Sequence, residues 1–272
     1  MLDNTGLETI RQQVCAGEKY AGIEQGLVTR LIQEEAAKGR NGRELVKAVR
    51  SRLHQSAAVY RLSSLELDQL IPTLQALPRD LHAPEVKNFC TASMRLHQSS
   101  LERLASINEF FQTTLQSIAP ITSILDLACG LNPLAVSWMP LGKDFTYIAC
   151  DIFSDQLGLL DAFFAHFAID GHTAMLDLTR ETPTQSAQVT FLLKTLPCLE
   201  QLSRNIGPRL LEAVPSDHIL VSFPARSLGG KNKGMLKNYE QQFMELLKPG
   251  AWDFERFIFP NELAFLLHRK GA

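Results

Sequence analysis

The chain has 272 residues, 45% of them hydrophobic and 21% charged, with a formal net charge of -2 and a mean hydropathy of -0.03. That length can bury a full core in one large or two modest domains, and the composition excludes a disordered chain. A pI near 6.4 excludes a uniformly basic nucleic-acid binder. No apolar run reaches the roughly 20 residues of a membrane span, so no membrane association is expected.

The segment from Met1 to Tyr20 carries Asp3, Glu8 and Glu18 and lacks an apolar block of signal-peptide length, which points to a cytoplasmic protein. Five cysteines (Cys15, Cys90, Cys129, Cys150, Cys198) are scattered and never spaced Cys-x-x-Cys. They read as reduced thiols, with neither a disulfide framework nor a zinc site, and no other metal is expected.

Residues 7–115 have helical periodicity: Leu27, Leu31, Ile32 and Ala36 share a face, as do Leu45, Val49 and Leu53, and Leu101, Leu104, Ile107 and Phe111. Breaks fall at Gly39–Gly42, across Pro72–Pro84, and at Pro120. The pattern predicts a helical N-terminal domain over 1–115 and a second domain over 116–272. Between Lys38 and Arg61 stand seven basic residues against the single acid Glu44. Arg43, Lys47, Arg50 and His54 follow at intervals of four, three and four, so one helix face presents a basic stripe, either gripping phosphates or simply solvated.

After Pro120 short apolar runs alternate with helical segments. Strands are expected at 121–127, 145–150, 173–178, 189–194, 218–223, 254–259 and 263–268, an α/β sheet of seven strands. Pro260 and Asn261 leave room only for a tight turn, so the last two strands form an antiparallel hairpin. That ending is foreign to a dehydrogenase Rossmann domain. The whole pattern resembles the Rossmann-like fold of S-adenosylmethionine (SAM)-dependent methyltransferases: a seven-stranded mixed sheet with a C-terminal hairpin, preceded by an α-helical domain.

The run Ile124-Leu125-Asp126-Leu127-Ala128-Cys129-Gly130-Leu131-Asn132-Pro133 is the most informative stretch. An apolar strand ending in Asp126 and a turn at Gly130 puts both where doubly wound sheets bind ligands. The spacing is Asp-x-x-x-Gly, not Gly-x-Gly-x-x-Gly, so a pyrophosphate-free nucleoside such as SAM fits better than a dinucleotide. Asp151 ends the second strand 21 positions after Gly130, placed to accept from ribose hydroxyls or to cap the next helix. Asp177, at the end of the third strand, could receive an adenine amino group, and Lys194 leaves the fourth strand toward substrate or solvent.

The stretch 221–235 begins as a strand and becomes a glycine-rich loop bearing Arg226, Lys231 and Lys233, without the Gly-Lys-Ser/Thr of a phosphate-binding P-loop. Its cations suit RNA phosphates or a base edge. The histidines (His54, His82, His97, His166, His172, His218, His268) offer no His-x-x-x-His pair and read as surface or packing residues.

On particular motifs the chain resembles the aminoglycoside-resistance 16S rRNA methyltransferases that modify N7 of guanine 1405 in the decoding site. The matching stretches are Arg52-Leu53-His54 with Tyr60, Leu96-His97 through Ser99, Glu102-Arg103-Leu104, Leu127 through Leu134, Cys150-Asp151-Ile152, Leu193-Lys194 with Leu196-Pro197 and Leu199-Glu200, and Ser222-Phe223-Pro224 with Arg226 through Gly230 and Lys233-Gly234-Met235. The resemblance implies cofactor contacts from Gly130, Asp151, Asp177 and Leu178, and a salt bridge from Arg103 to the methionine carboxylate. It implies rRNA gripped by Arg43, Lys47, Arg50 and Arg52, and the flipped guanine held near Arg226, Lys231, Lys233 and Met235. The implied partner is the 30S ribosomal subunit, met by a monomer; DNA is not a partner. Leu101 stands where relatives carry a basic residue. Methylation of another RNA atom such as adenine N1, small-molecule methylation, and a non-catalytic SAM-binding RNA chaperone are the competing functions.

Overall fold

The apolar spacings at the start of the chain form three helices, α1 (Asn4–Cys15), α2 (Gln25–Ala37) and α3 (Gly42–Ser56). Their rows Leu27, Leu31, Ile32, Leu45, Val49 and Leu53 are buried on one another. The structure, a computed structural model, describes residues 4–62, 67–203, 205–225 and 235–271. Glu24 caps α2, its carboxylate accepting the Gly26 and Leu27 N–H groups that the helix itself leaves unpaired. Just before it, Ile23 bridges to Phe153, whose ring enters this small core.

Next come α4 (Ile71–Gln75), α5 (Pro84–Met94), α6 (Gln98–Arg103) and α7 (Ile107–Thr114). Pro84 opens α5, where its missing N–H costs nothing. The apolar faces of α5 and α7 (Val86, Phe89, Met94, Phe110, Phe111) share a core with Ile121, Ile124 and Phe191 of the sheet. The change of periodicity near residue 115 is therefore not where the packing divides. Helices α5 and α7 belong to the sheet's core, and α1 to α3 have a core of their own.

The sheet contains β1 (Ile121–Leu127), β2 (Leu141–Asp151), β3 (Asp170–Met175), β4 (Ala187–Leu193), β5 (Ser216–Pro224), β6 (Trp252–Phe259) and β7 (Glu262–Arg269). Helix α8 (Ser154–Phe167) links β2 to β3, α9 (Leu196–Leu202) and α10 (Ile206–Ala213) link β4 to β5, and α11 (Met235–Leu246) precedes β6. The strand order is β3-β2-β1-β4-β5-β7-β6, with β1 to β5 parallel and β7 antiparallel to both neighbours. The expected mixed seven-stranded sheet and its closing hairpin are both present. The order in which successive strands are laid down reverses between β1 and β4, and this switch point opens the ligand crevice of such sheets.

The third strand is displaced from the expected 173–178 to 170–175. Asp177 accepts the Thr179 N–H and hydroxyl, an Asx-type turn that takes the chain out of the ladder before residue 177. Among the described residues no helix is long and apolar enough to cross a membrane.

Candidate active site

The backbone is left-handed where β1 and β4 end: Ala128 has φ 53°, Gly130 53° and Lys194 59°. Such conformations in alanine and lysine cost energy and persist where surrounding structure enforces them, commonly at ligand sites. Across the strand ends, Asp151 Oδ2 accepts the Gly130 N–H at 2.8 Å and Oδ1 accepts the Ile152 N–H at 2.7 Å. Burial raises the Asp151 pKa against the lowering effect of these N–H groups.

Asp151 and Asp177 both line one cleft at the ends of the parallel strands. Ile152, Leu178, Leu193 and Leu199 give it apolar walls, while Leu27, Ala57 and Tyr60 from the helical segment close one side. Two carboxylates at strand ends flanked by aliphatic side chains suit a molecule with a vicinal diol and a flat, amine-bearing base. The donor and acceptor set therefore fits adenosine, and hence SAM.

Behind the cleft runs a buried polar chain. Asp126 Oδ2 accepts from Tyr147 Oη at 2.6 Å and from Asn132 Nδ2 at 2.7 Å. Asn132 Oδ1 accepts from Arg103 Nη1 at 3.0 Å. Arg103 grips Glu262 through Nε at 3.0 Å and Nη2 at 2.6 Å, and its guanidinium lies 4.8 Å from the Phe110 ring centroid. Ser222 donates to Glu262 at 2.5 Å, and Lys194 Nζ stands 2.5 Å from Glu102 and 3.8 Å from Glu262. Burial pushes the Asp126 carboxyl up to about 6, with Tyr147 and Asn132 acting the other way. For Glu262, burial is outweighed by Arg103 and Lys194, which hold it below the ordinary carboxylate range. Thus Lys194 lines the cleft already paired, and Asp126 and Arg103 lie behind it, holding the turn and the hairpin in register.

The four basic residues expected to grip rRNA divide. Arg43 and Lys47 are exposed. Arg50 turns to the carbonyls of Gln13 (2.6 Å) and Val14 (3.0 Å) at the end of α1, supporting the helix C-terminus. Arg52 pairs with Glu34 at 2.7 Å and Glu35 at 3.2 Å and reaches the Leu202 carbonyl. The local excess of cations in the sequence is offset in space by acids of α2. Arg226, Lys231 and Lys233 lie outside the described residues, and Met235 is the first residue of α11.

Three residues the spacing rules passed over stand at the site: Tyr60, His97 and Arg30. His97 lines the cleft with its ring against Gly130, its Nδ1 3.0 Å from Ser99 Oγ and its centroid 6.1 Å from that of Tyr60. Burial foremost, then Arg103, Arg61 and Lys194, lower its pKa to about 4, so the imidazole is neutral at pH 7. A lone histidine has no metal-pair spacing to betray it; the Leu96-His97 match in the resemblance was the available signal. Tyr60 accepts a bond from the Cys198 thiol at 3.1 Å, and burial pushes its phenol well up. Arg30 reaches Asp177 from α2.

The family model described as Ribosomal RNA methyltransferase (FmrO) matches residues 16–266. A 16S rRNA (guanine(1405)-N(7))-methyltransferase of Frankia casuarinae is 32% identical over 97% of this chain and 94% of its own length. The protein of the same name from Micromonospora echinospora is 30% identical over 97% of each chain. Among solved structures, 16S rRNA methyltransferase RmtF in complex with S-adenosyl-L-homocysteine superposes with a TM-score of 0.84 at 25% identity, covering 99% of this chain and 100% of that one. The 16S rRNA methylase RmtB shares the fold, with a TM-score of 0.79 at 23% identity over 97% and 98% of the two chains.

Proposed function

This chain belongs to the ribosomal RNA methyltransferase (FmrO) family, and from that premise we propose that it methylates N7 of guanine 1405 of 16S rRNA from SAM, the activity named for its relatives. The observation that supports this most is the pairing of Asp151 and Asp177 in one cleft at the switch point, beside the left-handed turn at Gly130. Asp151 accepts the ribose hydroxyls, Asp177 the adenine amine, and Leu178 with Ile152 flanks the base. Gly130 and Lys194 border the methionine end, with Arg103 and Asp126 behind them. When bound, SAM supplies an electrophilic methyl group on a sulfonium.

Guanine N7 carries an unprotonated lone pair at neutral pH, so the chain need not remove a proton. Its work is to bind and align, which is worth about 7–11 kcal/mol in well-oriented systems. The neutral His97 keeps another positive charge out of a cleft that must accept a cation. The base leaves its stack at a cost of a few kcal/mol, offset by contacts in the pocket and at the backbone. Arg43 and Lys47, exposed on α3, are the phosphate contacts we assign to the helical segment, and Arg226, Lys231, Lys233 and Met235 those to the target nucleotide. The substrate is the assembled 30S subunit in the cytoplasm, approached by a monomer, and the consequence is aminoglycoside resistance.

Expression in a sensitive bacterium tests this reading. Growth in gentamicin-type drugs with unchanged sensitivity to apramycin-type drugs is expected. Protection against apramycin would transfer the target to adenine N1.

A further inference from the structure

Asp177 would be a poor adenine acceptor unless something fixed its carboxylate, because a free side chain can rotate and turn its oxygens away from the ligand. Oδ1 is occupied by the Thr179 N–H at 2.9 Å and the Thr179 hydroxyl at 2.5 Å. Oδ2 accepts from Arg30 Nη2 at 3.2 Å, and the same Nη2 reaches Thr179 Oγ1 at 2.5 Å. A carboxylate has about four acceptor positions, so three are filled and one on Oδ2 remains for a ligand at the cleft Asp177 lines.

Arg30 comes from α2, 147 residues earlier in the chain. It is held in turn: Nη1 donates to Glu34 at 2.8 Å, and Glu34 is gripped by Arg52 at 2.7 Å. The Arg30 and Asp177 side chains are only 11% and 7% exposed, so the pair is weakly screened. Among the described residues the buried Arg30 Nε has no hydrogen-bond partner, a cost accepted while the fork end serves three oxygens. Helix α2 is anchored beside the cleft by Glu24 N–H to the Ile152 carbonyl (2.9 Å) and Ser154 N–H to the Gly22 carbonyl (3.0 Å), which fixes where Arg30 reaches.

We propose that Arg30 is a positioning residue of the cofactor site: it orients the Asp177 carboxylate, so the helical segment supplies part of the selectivity for the adenine amino group. This rests on the adenosine reading of the cleft. The arginine touches the acid and not the ligand.

Calorimetry on the full chain with S-adenosylhomocysteine and its analogue lacking the 6-amino group separates the two ideas. Wild type is expected to prefer the amine-bearing ligand on the order of tenfold, the value of one charge-assisted hydrogen bond. Arg30→Met should lose most of that preference while binding the 6-deamino analogue as wild type does. In an Asp177→Asn background the same Arg30 change should add nothing. Arg30→Lys, the gentler variant if methionine impairs folding, should keep an intermediate preference, since one ammonium cannot serve Glu34, Asp177 and Thr179 with a fork's geometry. Full retention of the preference in both Arg30 variants, or equal weakening toward both ligands, would overturn the role of Arg30 and leave the adenosine reading intact. No preference in wild type would overturn the adenine assignment of Asp177, and the role of Arg30 with it.

Discussion

The imidazole of His97 covers Gly130 so closely that a Cβ on Gly130 would lie 2.6 Å from His97 Cε1 and 2.9 Å from Nε2. Gly130 also has φ 53°, so its lack of a side chain answers a steric and a backbone demand together. Gly130→Ala should cost about 1–2 kcal/mol from the left-handed backbone alone, with displacement of His97 in addition. The expected result is a Tm at least about 2 °C lower and SAM affinity reduced on the order of tenfold. Wild-type affinity would show that the turn does not shape the site.

Asp151→Ala should weaken SAM binding on the order of tenfold or more while leaving 30S subunit binding unchanged. It removes the acceptor we propose for the ribose and also frees the Gly130 and Ile152 N–H groups. Calorimetry with SAM, beside filter binding to subunits, measures both. Equal loss in the two assays would make Asp151 a general structural residue.

Arg103 and Glu262 form a buried bidentate pair, each almost wholly enclosed. Arg103→Ala leaves the buried Glu262 carboxylate with only the Ser222 hydroxyl and the more distant Lys194, and breaking such a buried pair typically costs about 3–5 kcal/mol. That variant should fold poorly, and adding Glu262→Gln should restore part of the Tm. No recovery in the double variant would mean that the lost charge partner is not the cause.

His97 has a folded pKa of about 4 against 6.5 when unfolded. The fold favours its neutral form, so its contribution is fully present above pH 6.5. It is lost progressively as the pH falls from 6.5 to about 4, because the unfolded chain takes up the proton first. Asp126, raised from 3.8 to about 6, acts in the opposite sense: its burial costs stability above pH 6 and less as the pH falls toward 3.8. His97→Gln should therefore flatten the acid-side loss of stability between pH 6.5 and 5. The His97 ring protons in wild type should show no titration above pH 5 by NMR, and a midpoint near 6.5 would contradict the burial of the ring.

Arg43 and Lys47 face solvent, whereas Arg52 is enclosed by Glu34 and Glu35. Reversing Arg43 and Lys47 to Glu should weaken subunit binding and reduce the salt slope by about 1.4–1.8 if both meet phosphates. Arg52→Ala should instead lower the Tm, by removing the partner that holds Glu34. Unchanged binding in the first variant would leave those cations as a solvated surface.

The strands were legible because buried parallel strands are continuously apolar and their ends carry Gly130 and Asp151. The hairpin was legible because Pro260 and Asn261 left no room for a crossover. What local spacing could not reveal were pairings between distant residues. The acids of α2 that neutralise Arg52, the Glu262 that meets Arg103, and the Arg30 that reaches Asp177 are all charge partners chosen by tertiary packing. The same holds for the grouping of α5 and α7 with the sheet, since a helical stripe shows that a face is buried without naming what buries it. His97 reads from spacing as a surface or packing residue because a single histidine has no period.

The most direct measurement incubates the purified chain with methyl-labelled SAM and undermethylated 30S subunits, then maps the product by borohydride reduction and aniline cleavage, which breaks the chain at N7-methylguanine. The account predicts one new stop at guanine 1405, absent without SAM and lost in Asp151→Ala. Label at another base, or no transfer to subunits from a folded, SAM-binding protein, would contradict it.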